Sequence, residues 1–272
     1  MDLVHLANIA IKAALKAGKI IQKHLNEDVI VEKKEGGNTY ASQVVTAIDK
    51  ECEKVILEHL LPTCKTYDMA LLSEESEDDK SRFKKDFFWC VDPLDGTLPF
   101  INKQPGFSVS IALVTKDGTP EIGIVYDPSK GNLYYAIKGK GVFKNDSLFK
   151  VATNNKYLTY VTDKKLSETP KVSEIQKILQ QKATELNLNG YKEISGSGAV
   201  LNAILVAENY PACMLKFPKK EKGGGSIWDF AATACIFNEL GLKATNFKGQ
   251  KLDLNRKEST FMNHQGIFYA NF

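Results

Sequence analysis

Apolar and polar residues recur along this chain with two different periods, and the switches between them mark its elements. Leu3, Leu6, Ala7, Ala10, Ile11, Ala14, Leu15 and Ile21 fall at three- and four-residue spacing, which predicts an amphipathic helix over residues 2–25. VIVEKKEGGNTYASQ begins like a strand and turns loop-like at Gly36-Gly37-Asn38. VTAIDKECEKVILEHLL predicts a second helix from Val45 that stops at Pro62. The charge-dense SEESEDDKSRFKKD follows, and Asp78 to Asp86 reads as a solvated loop. From Phe87 the period changes to that of strands. FFWCV, SVSIALVTK, EIGIVYD and NLYYAIKGKGVFKN are four strand-like stretches, with a turn signal at Asp117-Gly118. The second half begins near Val151. YLTYVTD predicts a strand, SEIQKILQQKATELN a helix, YKEISG a strand and AVLNAILVAENY a helix. KKEKGGGS reads as a mobile loop, WDFAATACIFNELG as a helix ended by Gly241, and LKATNF and GIFYANF as the last strands. Strands and helices alternate in blocks, so the expected class is a layered α/β (α+β) sandwich. The expected organisation is a single domain over residues 1–272, with an α+β half at 1–150 and an α/β half at 151–272 that completes the site.

Composition narrows the class. Of the 272 residues, 43% are hydrophobic and 25% charged, the proportions of a globular protein able to bury a core without cross-links. The net charge of +3 argues against a nucleic-acid polymer as partner, which needs a concentrated basic face. The five cysteines are odd in number and irregularly spaced with no CxxC pair, which argues for buried free thiols rather than disulfides or a zinc site. Lysines and a histidine interrupt the N-terminal apolar residues, unlike a signal peptide, and no apolar run approaches the roughly 18 residues of a membrane span. A reducing, cytoplasmic protein with no membrane partner is the expectation.

The chemistry concentrates in WCVDPLDGT, where Asp92 and Asp95 flank a proline at the end of an apolar run. Two carboxylates held close repel unless a cation lies between them. Oxygen ligands suit magnesium better than zinc. The N–H groups of Gly96 and Thr97 would suit phosphate oxygens. The competing reading is a capped turn with surface acids. An EF-hand lacks both its DxDxDG order and its closing glutamate. Further acids stand at Glu74 and Glu75 in LLSEES, at Asp49 in VTAIDKE, and at Asp229 in SIWDFAA, where a simple N-cap would also explain the aspartate. The four histidines are scattered away from these acids, so a Ser-His or Cys-His nucleophile is not expected.

Together VTAID, SEES, WCVDPLDGT and WDFAA, in that order across nearly the whole chain, resemble the inositol monophosphatase superfamily of magnesium-dependent, lithium-sensitive phosphatases. The resemblance implies an αβαβα sandwich of the inositol monophosphatase/fructose-1,6-bisphosphatase type. It implies that Glu74, Asp92 and the Leu94 carbonyl hold a first metal and that Asp92, Asp95 and Asp229 hold a second, with Glu74 at a third through water. Two or three Mg2+ ions would serve as cofactors and Li+ as an inhibitor. Gly96 and Thr97 would bind phosphate, Thr97 with Asp49 would orient and deprotonate the attacking water, and Glu75 would stand behind the ligands. The partner would be a small phosphorylated molecule, and the family allows a homodimer.

The substrate branch is read from other stretches. After DGT this chain has Leu98-Pro99-Phe100, unlike the Asn-Phe of the inositol branch and the charged pair of the nucleotidase branch. The inositol branch has a sugar-binding acid about seven residues before its last metal aspartate. This chain has Lys222 there, which suits a second anionic group or, alternatively, only a solvated basic loop. GQKLDLNRKESTFMN and ISGSGAVLNAILVAE resemble the 3′(2′),5′-bisphosphate nucleotidases of the CysQ type, which would put Gly198 close to a nucleotide. The GSG of that segment lacks the third glycine of a dinucleotide fingerprint. The expected activity is hydrolysis of 3′-phosphoadenosine 5′-phosphate to AMP and phosphate. The alternatives are an inositol monophosphatase and, more remotely, an inactive homologue that binds metal or nucleotide without turnover.

Overall fold

A computed structural model describes residues 1–25, 27, 31–33, 44–151 and 156–272. The first helix, α1 (Leu3–His24), is capped by Asp2, whose carboxylate accepts from the Val4 and His5 N–H groups at 2.9 and 3.1 Å. β1 (Val31–Lys33) pairs antiparallel with β2 (Val44–Thr46), while the loop read at Gly36-Gly37-Asn38 lies outside the described residues. α2 (Ala47–Tyr67) therefore begins two residues later than the sequence suggests and does not stop at Pro62. The helix is carried past the proline because Thr63, one residue on, is buried and accepts a hydrogen bond from the Trp89 indole N–H at 2.8 Å.

A seven-stranded sheet follows. Its strands are β3 (Ala70–Ser73), β4 (Phe87–Asp95), β5 (Ser108–Thr115), β6 (Pro120–Asp127), β7 (Asn132–Ile137), β8 (Gly141–Lys144) and β9 (Ser147–Leu148), arranged in that order. A five-stranded sheet has the order β11-β10-β12-β14-β13, formed by β10 (Leu158–Thr162), β11 (Tyr191–Ser195), β12 (Ala212–Lys216), β13 (Lys243–Thr245) and β14 (Ile267–Asn271). The remaining helices are α3 (Thr97–Ile101), α4 (Val172–Glu185), α5 (Ala199–Glu208) and α6 (Ile227–Glu239). The strand β12 and the short helix α3 go unread in the sequence.

The period-two alternation of each strand assigns its side chains to layers. On β4, Trp89 and Val91 pack with Leu6, Ala10, Ala14, Ile56 and Leu60 of α1 and α2, whereas Phe88 and Cys90 join Ile204, Phe230 and Phe237 of α5 and α6. On β12, Ala212 and Met214 join that central core, whereas Cys213 and Leu215 pack with Ile175 and Leu179 of α4. The order is thus helices, seven-stranded sheet, helices, five-stranded sheet, helix: an αβαβα sandwich. Small residues set the spacing of the first two layers. A side chain at Gly18 would meet the Tyr126 ring at 2.1 Å. The five cysteines are free, four of them buried. No helix among the described residues is long and apolar enough to cross a membrane.

Asp78 to Asp86 is more than a solvated loop. It contains a 3-10 turn, Ser81–Phe83, that inserts the fully buried Arg82. Its guanidinium donates to Asp78 at 3.0 Å, to Asn255 Oδ1 at 2.5 Å and to the Arg256 carbonyl at 3.0 Å. KKEKGGGS is likewise tied down: Lys219 N–H donates to the Asn263 carbonyl at 3.0 Å, and Asn263 Nδ2 donates to the Lys219 and Glu221 carbonyls at 2.8 and 2.7 Å.

Candidate active site

Residues three apart on a regular strand face opposite ways. The DPLD spacing therefore needs an irregularity to bring its two acids together, and β4 has one. The strand does not end at Asp92 but continues to Asp95, with Asp92 opposite Ser110 and Asp95 opposite Ser108. Three steps on β4 answer two on β5, which is a β-bulge at Pro93, a residue with no N–H to lose from the ladder. The bulge turns Leu94 into the core beside α1 and α2 and leaves Asp95 on the α5/α6 side of the sheet with Asp92. Leu94 N–H donates to Asp92 Oδ1 at 3.1 Å, closing the turn.

α6 supplies the third acid. Asp229 is its third residue, and Ser226 N–H donates to Asp229 Oδ2 at 2.5 Å. The N-cap itself is Ser226, so Asp229 is not the cap but its N3 partner in a capping box, and the same carboxylate reaches Asp92 and Asp95. A ligating oxygen of each of the three lies within 4.8 Å of the others, and Asp92 and Asp95 are only 1% and 6% exposed. Burial, with the neighbouring charge of Asp229, pushes Asp95 well above the ordinary carboxylate value, although the Val200 N–H opposes the shift. Burial and the charge of Glu74 push Asp229 up to about 7, with Lys216 opposing. Glu74 thus belongs to the same electrostatic cluster. Its N–H donates to the Val91 carbonyl at 3.1 Å, which docks the SEES turn beside β4.

Asp95 also receives the start of α5, from Ala199 N–H at 3.1 Å and Val200 N–H at 3.0 Å. Gly198 is what permits this approach, since a Cβ there would lie 2.3 Å from Asp95 Oδ2. Gly96 opens α3 at φ +82°, and a Cβ on it would meet the Gly106 carbonyl at 2.5 Å. Thr97 Oγ1 lies 3.3 Å from Asp49 Oδ1 and 3.2 Å from the Leu94 carbonyl, and Asp49 is 2% exposed. Leu98-Pro99-Phe100 forms the body of α3, anchored by an edge-to-face contact of Phe100 with Phe107 at 5.5 Å. Asp49, Glu74, Asp92, Leu94, Asp95, Gly96, Thr97, Gly198 and Asp229 therefore converge.

Lys222 lines a surface pocket of about 340 Å³ with Ser73, Asp78, Trp228 and Glu258, and two of those walls, Ser73 and Trp228, are the chain neighbours of Glu74 and Asp229. The GQKLDLNRKESTFMN segment holds the buried Arg82 through Asn255 and the 219–221 loop through Asn263, and its residues 258–261 line the pocket with Lys222. Asp163, Lys216 and Asn202 go unnoticed in the sequence. Asp163 follows β10 and Lys216 ends β12, two parallel neighbours, and ligands favour the carboxyl ends of parallel strands. The aspartate after the apolar run YLTYV, which echoes WCVD, was the available signal.

Comparison with known proteins agrees with this geometry. The inositol monophosphatase family profile matches residues 2–270. The chain belongs to the inositol monophosphatase family. It is 27% identical to an inositol-1-monophosphatase of Bacillus subtilis over 97% of this chain and 91% of that protein. It is 40% identical to the Nus factor SuhB of Pasteurella multocida over 148 residues, a match spanning 54% of this chain and 52% of that protein. The crystal structure of CysQ from Bacteroides thetaiotaomicron, described as a bacterial member of the family, superposes with a TM-score of 0.76 at 27% identity. That superposition covers 98% of this chain and 97% of that one.

The family is generally metal-dependent, and the donors fit a metal. They are carboxylate oxygens with no nitrogen or sulfur among them, buried at Asp92 and Asp95, partly buried at Asp229, and mutually repelling. Such a set favours a hard cation.

Proposed function

We propose that this chain is a Mg2+-dependent phosphomonoesterase that hydrolyses 3′-phosphoadenosine 5′-phosphate to AMP and phosphate. The observation that carries the reading is the Asp92–Asp95–Asp229 cluster with the Asp49–Thr97 pair beside it. Glu74, Asp92, Asp95, Asp229 and the Leu94 carbonyl would hold two or three Mg2+ ions. When bound, these would neutralise the phosphate dianion and make water more acidic. Gly96 and Thr97 N–H would hold the phosphate oxygens. Thr97 Oγ would accept a proton from the attacking water and pass its own to Asp49, which is buried beside it. The water oxygen bonds to phosphorus as the ester oxygen departs, and the leaving alkoxide takes its proton from solvent. Positioning for in-line attack, rather than a covalent intermediate, is the work asked of the protein.

The nucleotide substrate is supported by the likeness to CysQ over nearly the whole of both chains. The full-length likeness to the Bacillus subtilis inositol-1-monophosphatase favours inositol phosphate as the second reading. The test is phosphate release with Mg2+ from 3′-phosphoadenosine 5′-phosphate and from inositol 1-phosphate at equal concentrations. Preference for the nucleotide is expected. Preference for inositol phosphate overturns the substrate, and release from neither overturns the enzyme.

A further inference from the structure

α6 carries Asp229, and two buried hydroxyls from different sheets hold the turn on which it stands. Ser110 Oγ of β5 donates to the Trp228 carbonyl at 3.2 Å, and Tyr269 Oη of β14 donates to the Phe230 carbonyl at 3.2 Å. Trp228 and Phe230 flank Asp229 in the chain. Residues two apart on a helix lie about 200° apart around its axis, so the carbonyls on either side of Asp229 are taken from nearly opposite directions, one by each sheet. The donors are themselves fixed. Ser110 is buried and stands opposite Asp92 in the β4–β5 ladder, so the residue that holds α6 is paired with the one that carries the first acid. The buried Tyr269 ring meets Phe237 edge to face at 4.7 Å, and its oxygen lies 3.0 Å from Thr233 Oγ1.

We propose that Ser110 and Tyr269 are positioning residues, a clamp from two sheets that holds the first turn of α6 so that Asp229 stands in ligand range of Asp92 and Asp95 before magnesium arrives. Ser226 N–H, which binds Asp229 Oδ2, belongs to the same segment and fixes the carboxylate only relative to α6. Apolar packing brings the helix close to the sheet: one turn on from Trp228, the Ala232 carbonyl would lie 2.2 Å from a Cβ at Gly123 of β6. Packing of this kind is non-directional, so it leaves the rotation and slide of the first turn to be set by hydrogen bonds. Repulsion between the Asp95 and Asp229 charges works the other way and drives that turn off β4. Ser110 and Tyr269 oppose it through the backbone on both sides of Asp229. An acid held in place beforehand needs less ordering when the cation enters, and hydrogen bonds behind metal ligands raise affinity in this way.

This rests on reading the three aspartates as magnesium ligands of a phosphomonoesterase, and the experiment separates the two. The Mg2+ Kd of the full-length chain is measured by titration calorimetry, without substrate, for wild type, Ser110→Ala, Tyr269→Phe and the double variant. Each single variant should bind Mg2+ about 3- to 10-fold more weakly, the size of one hydrogen bond between neutral groups, and the double variant about 10- to 100-fold. Tyr160→Phe is the control. It deletes a buried hydroxyl on β10, in the core shared with α4, and should leave the Kd within about twofold. The Mg2+ concentration that half-saturates phosphate release should rise by the same factors, while release at saturating Mg2+ stays within about threefold. If Ser110→Ala does not fold, Tyr269→Phe, which keeps the ring and its packing, carries the test alone. An unchanged Kd in either folded single variant, or an equal loss in Tyr160→Phe, would overturn the proposal and leave the hydroxyls a role in stability only. No phosphate release by wild type from 3′-phosphoadenosine 5′-phosphate or inositol 1-phosphate would overturn the phosphomonoesterase reading, and the calorimetry would still decide the clamp.

Discussion

Single residues show most sharply why WCVDPLDGT was readable and what it left out. Two acids three apart must share a face to bind one cation, and the bulge at Pro93 does that by adding a step to β4. The spacing declared the acids; the bulge, which needs a partner strand to exist, was not legible. Asp95 has two duties, repelling Asp229 and accepting the first N–H groups of α5. Asp95→Asn keeps an acceptor for α5 but loses the charge. Phosphate release with Mg2+ should fall by roughly two orders of magnitude or more, with the fold retained by circular dichroism. Activity near that of wild type would remove Asp95 from the metal ligands. Gly198→Ala tests close approach instead. A Cβ 2.3 Å from Asp95 Oδ2 must push α5 away, so urea unfolding should show a loss of about 1–3 kcal/mol.

At the scale of elements, helical periodicity found α1 and α4, which bury one face, while α5, α6 and the long strands showed as apolar runs because they are buried on nearly all sides. It failed where tertiary contacts decide. α2 runs through Pro62 because the next residue is held by Trp89, a partner 26 positions away in sequence. The charge-rich turn at Ser81–Phe83 looked solvated because a fully buried arginine is identifiable only from its partners, Asn255 and the Arg256 carbonyl, which lie far along the chain. Removing Arg82 leaves Asp78 and Asn255 facing a void, so Arg82→Met should cost about 3–5 kcal/mol in denaturant unfolding. Asp78 carries the pH dependence of this element. Burial would raise its pKa, but hydrogen bonds from Lys80 and Arg82 hold it below the ordinary carboxylate value of 3.8. A depressed folded pKa gives stability that is present above the unfolded value and lost as pH falls through the folded one. The stability gap between wild type and Asp78→Asn should therefore be open at neutral pH and close below about pH 4. A gap that stays constant down to pH 3 would mean the pair contributes no charge-dependent stability.

In the whole molecule, the seven-stranded sheet is built from residues before 150 and the five-stranded sheet from residues after it. The acid cluster joins the two segments, since Asp92 and Asp95 come from β4 while Asp229 comes from α6, which packs between the sheets. The layered class was legible from the blocks of strand and helix. The meeting of these acids was legible only through resemblance, because no local pattern relates positions 137 apart. This convergence has a thermodynamic consequence. The fold pays to hold the three carboxylates within 4.8 Å of one another, a cost the unfolded chain escapes. A divalent cation that binds the folded cluster and not the open chain must then stabilise the protein by mass action, by about 2.7 kcal/mol at a hundredfold excess over its Kd. Thermal unfolding should shift upward with added Mg2+, by several degrees at saturation, and return with a chelator. The same titration on Asp229→Asn should give a higher starting midpoint, because one repelling charge is gone, and a much smaller Mg2+ response. A metal-free midpoint unchanged by Asp229→Asn would show that repulsion in the cluster is not what magnesium relieves. An equal Mg2+ response in wild type and variant would place the stabilising ion elsewhere on the chain.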